Sequence, residues 1–185
     1  MKADLLLLLA DGLVIVMVAR CLLHWAKLDA NHPLAAFCRQ TTDWLVKPLH
    51  KVAPAAGRWD TACLLAGLLV YYIVYMVMTW VALPGSMSSK IVAANFIFSL
   101  ISMLKAVIYV LLLGLIIRML LSFINPYSLL VASLQRIFEP MSRPFAFLRI
   151  GRYDFSGGVI ALILWSLLID FLPKLVSSVN LWLLR

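Results

Sequence analysis

Charge is scarce in this 185-residue chain: 13% of its residues are Asp, Glu, Lys or Arg, against about a quarter in a soluble domain. That shortage excludes an ordinary soluble domain and a disordered chain. Acids are scarcer still, with 8 Asp and Glu facing 16 Lys and Arg, for a net charge of +8. The chain is 64% apolar with a mean hydropathy of +1.02. On such a chain a basic surplus points to membrane orientation and anionic lipid, with no nucleic-acid partner. Cysteine is limited to Cys21, Cys38 and Cys63, whose spacing fits no zinc or redox motif and reads as packing. Phosphate-binding loop, dinucleotide fingerprint, C-x-x-C pair and G-x-S-x-G elbow are all missing. No enzyme, no cofactor and no metal site is expected.

Long apolar runs are what the chain has. A hydrocarbon core needs about 20 apolar residues as helix. Four stretches qualify: Leu5 to Trp25, Thr61 to Leu83, a part of Ile91 to Ile124, and Ser156 to Val176. The third is too long for one perpendicular crossing. Ile91 to Met103 is read as an interfacial or tilted lead-in, and Lys105 to Ile124 as the span. The first run continues past Ala19, so a retained span is expected in place of a cleaved signal peptide. Lys27, Arg39, Lys47, Lys51 and Arg58 follow the first span; Arg136, Arg143, Arg149 and Arg152 follow the third. The other face holds Lys2, Lys90, Lys174 and Arg185. This bias predicts that loops 26–60 and 125–155 are cytoplasmic and both termini outside.

The loops also carry an internal duplication. Arg20-Cys21-Leu22-Leu23-His24-Trp25 aligns with Arg118-Met119-Leu120-Leu121-Ser122-Phe123, and Asn31-His32-Pro33 with Asn125-Pro126. Asp43 and Lys47-Pro48 align with Glu139 and Arg143-Pro144; Gly57-Arg58-Trp59-Asp60 aligns with Gly151-Arg152-Tyr153-Asp154. Each unit reads span, basic loop, span, and an even number of spans makes the units parallel about an axis along the membrane normal. Residues 1–83 form the first repeat, 84–103 a connector with the lead-in helix, and 104–185 the second repeat. The expected class is therefore an all-α integral membrane protein with four transmembrane helices in two parallel repeats, each helix–amphipathic interfacial helix–helix.

Amphipathic periodicity marks both loops. Leu34, Phe37, Cys38, Thr41, Leu45, Leu49 and Val52 form one apolar stripe; Leu130, Leu134, Ile137, Met141, Phe145 and Leu148 form the other. Phe37, Trp44, Leu45, Leu134, Phe138 and Phe145 are expected against the spans or in lipid. Arg39, Lys47, Lys51, Arg136, Arg143 and Arg149 supply an interfacial basic face suited to anionic phospholipid. Asp43/Lys47 and Glu139/Arg143 are acid-first i,i+4 pairs, the favourable order on a helix.

In combination, the R-x-L-L start, the N-P, the D/E-x-x-x-K/R-P and the G-R-W/Y-D ending resemble the YggT family of small bacterial and plastid membrane proteins. The second unit, with Gly151-Arg152-Tyr153-Asp154-Phe155-Ser156, is the closer to the family pattern; in the first, Asp60 is followed by Thr61-Ala62. The resemblance implies four spans and a bacterial inner-membrane location, with no established reaction. It further implies an assembly or organisation role, as in plastid relatives linked to b-type cytochrome maturation. Bacterial relatives are linked to cell-division neighbourhoods, osmotic stress and potassium homeostasis.

Ionisable residues inside spans suggest function, because each costs about 2.5–3.5 kcal/mol at mid-helix. Arg20 and Arg118 near the ends of their spans, with Asp60 and Asp154 opening the next, make a candidate ion-pair belt on the cytoplasmic side. The plainer reading is arginine snorkelling and aspartate N-capping. Asp11, Lys105 and Asp170 make a candidate charged cluster on the outer side, or reach the interface separately. His24, His32 and His50 read as interfacial polar residues in place of haem ligands, and Tyr71, Tyr72 and Tyr75 as lipid-facing or core packing. Two roles fit. One is a non-enzymatic organiser or assembly factor acting through other membrane proteins, through itself as a homo-oligomer, and through lipid. The other is a transport protein or transport accessory.

Overall fold

A computed structural model describes residues 2–28, 32–51, 60–82, 84, 88–124, 128–143, 149–150, 153–154 and 156–184, with side chains at 4–28, 32–51, 60–82, 84, 88–121, 128–143 and 157–183. Local chemistry explains most of the element boundaries. Helix α1 (Lys2–Trp25) ends in a Schellman turn. There the Leu28 N–H donates to the Leu23 carbonyl at 3.1 Å and the Lys27 N–H to that of His24 at 3.0 Å, with Lys27 at φ 56°. Helix α2 (Pro33–His50) starts with Pro33, whose missing N–H has no helical partner to lose, and His32 Nδ1 accepts from the Leu34 N–H at 3.3 Å. Helix α3 (Thr61–Ala82) is capped by Asp60, whose Oδ1 accepts the Cys63 N–H at 3.3 Å. Ser128 caps α5 (Leu129–Ser142) through the Val131 N–H.

Helix α4 (Ser89–Ile124) runs unbroken for 36 residues. The expected lead-in at 91–103 and the span beyond it are thus one rod, with no joint near Lys105. The last membrane helix is longer than expected and interrupted. It comprises α6 (Ser156–Ser166), a π-helical turn (Leu167–Phe171) and α7 (Leu172–Leu184). Pro173 supplies the cause: it lacks an N–H, and its ring would strike the carbonyl one turn back. The backbone widens just before it, and the Leu172 N–H reaches the Leu167 carbonyl. Apart from the helices, the described residues include one short antiparallel hairpin, β1 (Arg149–Ile150) with β2 (Tyr153–Asp154).

Among the described residues, four helical segments are long and apolar enough to cross a membrane: Asp4–Trp25, Thr61–Ala82, Ser89–Leu121 and Gly157–Leu183. The chain is a multi-pass membrane protein. Helices α1 and α3 pack along each other; α2 touches both. Helix α4 packs against α3, α1, α5, α6 and α7, and α5 also touches α6. Small residues let α1 and α3 approach: Ala62, Cys63 and Ala66 face Met17 and Cys21. Gly67 marks the closest point, since a Cβ there would meet Val14 Cγ1 at 3.1 Å and Met103 Sδ at 3.2 Å. A second core gathers Leu115, Leu134, Ile137, Phe138, Ile160 and Leu164 from α4, α5 and α6. Helices α2 and α5 lie on one side of the bundle, because Leu34 and Cys38 line the same cavity as Leu134, Ile137 and Phe138.

The two amphipathic helices use their faces differently. In α5, Leu134, Ile137 and Phe138 are buried. In α2 the buried residues are Ala35, Cys38, Thr42 and Val46, a narrower and smaller stripe than the large-residue one expected. Phe37 and Trp44 are 60% and 65% exposed on the bundle surface, so of their two expected settings contact with the spans is corrected. Small side chains are what allow α2 to seat between α1 and α3, and the large ones turn outward. Phe145 lies outside the described residues.

Candidate functional site

Two polar centres are built where spans meet. The first sits on the α2 side. Arg20, near the end of α1, has a side chain only 12% exposed. Its NH1 donates to Asp43 Oδ1 at 2.7 Å and to Thr42 Oγ1 at 2.8 Å, while its Nε lies 4.0 Å from Asp60 Oδ2. Asp60 is buried and heavily used: Oδ1 accepts the Cys63 N–H and faces His50 Nε2 at 3.6 Å, and Oδ2 accepts the Cys63 thiol at 3.1 Å. Lys47 Nζ reaches Asp43 Oδ2 at 2.9 Å. The Lys47 hydrogen bond first, with help from Arg20 and against partial burial, holds the Asp43 carboxyl below its ordinary value. This cluster ties α1, α2 and α3 together. It borders a cavity of about 310 Å³ lined by Arg20, His24, Arg39, His50 and Asp60 among others.

The second centre lies deep in the spans. Asp11 accepts the Tyr71 hydroxyl on Oδ1 at 2.7 Å and pairs with Lys105 Nζ through Oδ2 at 2.9 Å. Lys105 also stands 5.8 Å from the centre of the Tyr109 ring. At 1.5 Å per residue, Lys105 is about 24 Å along α4 from Ser89 and about 29 Å from Ile124, and Tyr71 is mid-way along α3. A polar seam continues from here towards the α3 C-terminus. Tyr75 shares a 2.6 Å hydrogen bond with Ser102, and Thr79 exchanges hydrogen bonds with Asn95 at 3.1 and 3.2 Å. Tyr71, Tyr75 and Thr79 recur every four residues, so one face of α3 carries all three.

These positions divide the candidate residues. Arg20 and Asp60 come together, but the shortest ion pair of Arg20 is with Asp43, which sequence reasoning had paired only with Lys47. Helix spacing shows that Asp43 and Lys47 are neighbours; it does not show which span they face. Arg118 is half-buried and has interaction partners; the Asp154 and Arg149 side chains lie outside the described set. The three-residue cluster of Asp11, Lys105 and Asp170 is corrected to a pair. Asp170 is exposed on the π-helical turn of the last span and bonds Ser166 Oγ at 3.4 Å. Arg39, Lys47, Lys51, Arg136 and Arg143 are all exposed, and Arg143 pairs with Glu139 at 3.5 Å. Tyr71, Thr79, Asn95 and Ser102 were missed as polar partners; the four-residue spacing on α3 was the available signal. Among the described residues no group of three His, Cys, Asp or Glu side chains is disposed to hold a metal ion.

Comparison with known proteins gives a consistent picture. The chain is 29% identical over 138 residues to an uncharacterized protein in the proC 3' region of Vibrio alginolyticus, covering 74% of this chain and 73% of that one. It is 28% identical over 153 residues to an uncharacterized protein of Haemophilus influenzae, covering 81% of this chain and 80% of that one. No solved structure matches. Residues 2–82 of this chain, which carry α1, α2 and α3, match the model of the CCB3/YggT family.

Proposed function

We propose that this protein is a non-enzymatic organiser or assembly factor of the bacterial inner membrane, acting through partner membrane proteins and anionic lipid. One observation carries the reading. Three charges inside the first three spans are held in contacts between helices, Arg20 with Asp43 and Asp60, and Asp11 with Lys105 and the Tyr71 hydroxyl. Ions held this way lock helices together. Meanwhile Phe37 and Trp44 of α2 point outward beside exposed Arg39 and Lys47, a surface suited to partners at the headgroup layer. The two halves are proposed to be parallel repeats, supported by matching contacts of α2 with α1 and α3 and of α5 with α4 and α6. The α2/α5 side is proposed to be cytoplasmic, with both termini outside; a cysteine at position 47 should then resist an impermeant thiol reagent in intact cells.

A transport or transport-accessory role, in osmotic stress or potassium homeostasis, is the second reading. The seam of Tyr75, Ser102, Thr79 and Asn95 leading to Asp11 and Lys105 favours it. However, none of those residues lines the three cavities found at the Arg20–Asp60 level and between α1, α4 and α5. The deciding experiment has two arms. A photocrosslinker at Trp44 should give discrete protein adducts in native membranes, lost on Phe37→Ala. Purified protein in liposomes should conduct no potassium or protons. Flux abolished by Asp11→Asn would overturn the organiser reading in favour of transport.

A further inference from the structure

The α2-side cavity adjoins an apolar cavity that the ion-pair cluster does not explain. This second cavity, of about 150 Å³, lies between α1, α2, α4 and α5, and its lining is almost wholly hydrocarbon. Leu23 lines both cavities, and Ala35 of the polar one is flanked on α2 by Leu34 and Cys38 of the apolar one. The apolar cavity extends from Leu23 back to Ala19 along α1, about 6 Å, and from Ile117 back to Val110 along α4, about 10 Å. It therefore leads from the polar pocket at the α2 level towards the interior of the spans.

The polar end is cationic. Arg39 has no ion-pair partner among the described residues, and exposed His24 and half-buried His50 stand in the same lining. The neighbouring acids are already engaged. Asp60 is held by Arg20, His50 and Cys63, and Asp43 by Arg20 and Lys47. A further anion beside Arg39 meets no free carboxylate among these groups.

We propose that this composite site binds one anionic phospholipid, its phosphate in the pocket of Arg39, His24 and His50 and one acyl chain in the cavity between α1, α2, α4 and α5. The polar end alone would suit any phosphate; the adjoining hydrocarbon cavity selects a lipid. This deepens the lipid part of the proposed function. Its test runs on purified protein without partners, so it and the crosslinking experiment can fail separately.

The full-length protein is placed in nanodiscs of equal phosphatidylglycerol and phosphatidylcholine, and retained lipid is counted by native mass spectrometry. Phosphatidylglycerol should be retained about fivefold over phosphatidylcholine, the size expected from one basic residue near an anionic headgroup. Arg39→Gln should bring the ratio to that of the bulk bilayer, and Arg39→Lys should largely keep it. Leu113, 47% exposed in the lining of the apolar cavity, offers the second handle: Leu113→Trp should reduce retained lipid of either kind. Equal retention of the two lipids, or a preference unchanged in Arg39→Gln, overturns the proposal. So does displacement by millimolar inorganic phosphate together with full lipid retention in Leu113→Trp, which would mark a free-anion site.

Discussion

Removing the Arg20 guanidinium should be the most damaging single change in the α2-side cluster. Arg20 donates to Asp43 and Thr42 and stands between Asp43 and Asp60. Arg20→Met deletes that cation and leaves two carboxylates facing each other at the end of the bundle. Breaking a buried pair from one side costs roughly 3–5 kcal/mol. Lys47 still neutralises Asp43, and Asp60 keeps its cap on α3, so the expected loss is near the lower end, about 3 kcal/mol. Asp43→Asn and Asp60→Asn each leave Arg20 one carboxylate and should be milder. Geometry also ranks the couplings. The Arg20–Asp43 contact at 2.7 Å is a charge-assisted hydrogen bond; the Arg20–Asp60 approach at 4.0 Å is Coulombic only. The first coupling should exceed the second by about 1 kcal/mol. Double-mutant cycles on reversible unfolding in mixed micelles measure both. Equal couplings, a reversed order, or additivity in both cycles would refute the reasoning.

Three further outcomes are expected. Lys105→Met and Asp11→Asn should each destabilise by about 3–5 kcal/mol, and the double change by less than their sum, because it strands no charge; unfolding of the three variants checks this. Lys27 sits at φ 56°, where a side chain costs about 1–2 kcal/mol, so Lys27→Gly should raise stability by up to about 1 kcal/mol after the entropy cost of glycine. A drop in stability would count against the left-handed cap. The folded Asp43 carboxyl titrates below its ordinary 3.8, so its contribution is present above that value and is lost as pH falls through the lower folded pKa. Stability measured across this acid range should fall less steeply in Asp43→Asn than in the parent.

The number and approximate limits of the membrane helices were legible from the amino-acid order, because span formation depends on local apolar content and on a length set by the bilayer. The Asp60 cap was legible for the same reason, because it acts on neighbours within a few residues. Arg20 and Asp60 stood out as charges in a chain that has few. What tertiary packing decided was pairing and facing. A helical periodicity identifies a stripe on α2, but whether Ala35, Cys38 and Thr42 or Phe37 and Trp44 meet the bundle depends on how close α1 and α3 stand. The selection of Asp43 by Arg20, and of Asp11 by Lys105 and Tyr71, depends on the rotation of separate helices about their own axes. Asp170 looked equivalent to Asp11 by depth, yet it is exposed on the π-helical turn and bonds Ser166. Local sequence fixes where a helix begins and ends; its rotation and its neighbours are chosen by side chains far away in the chain, and those choices assemble the charged centres.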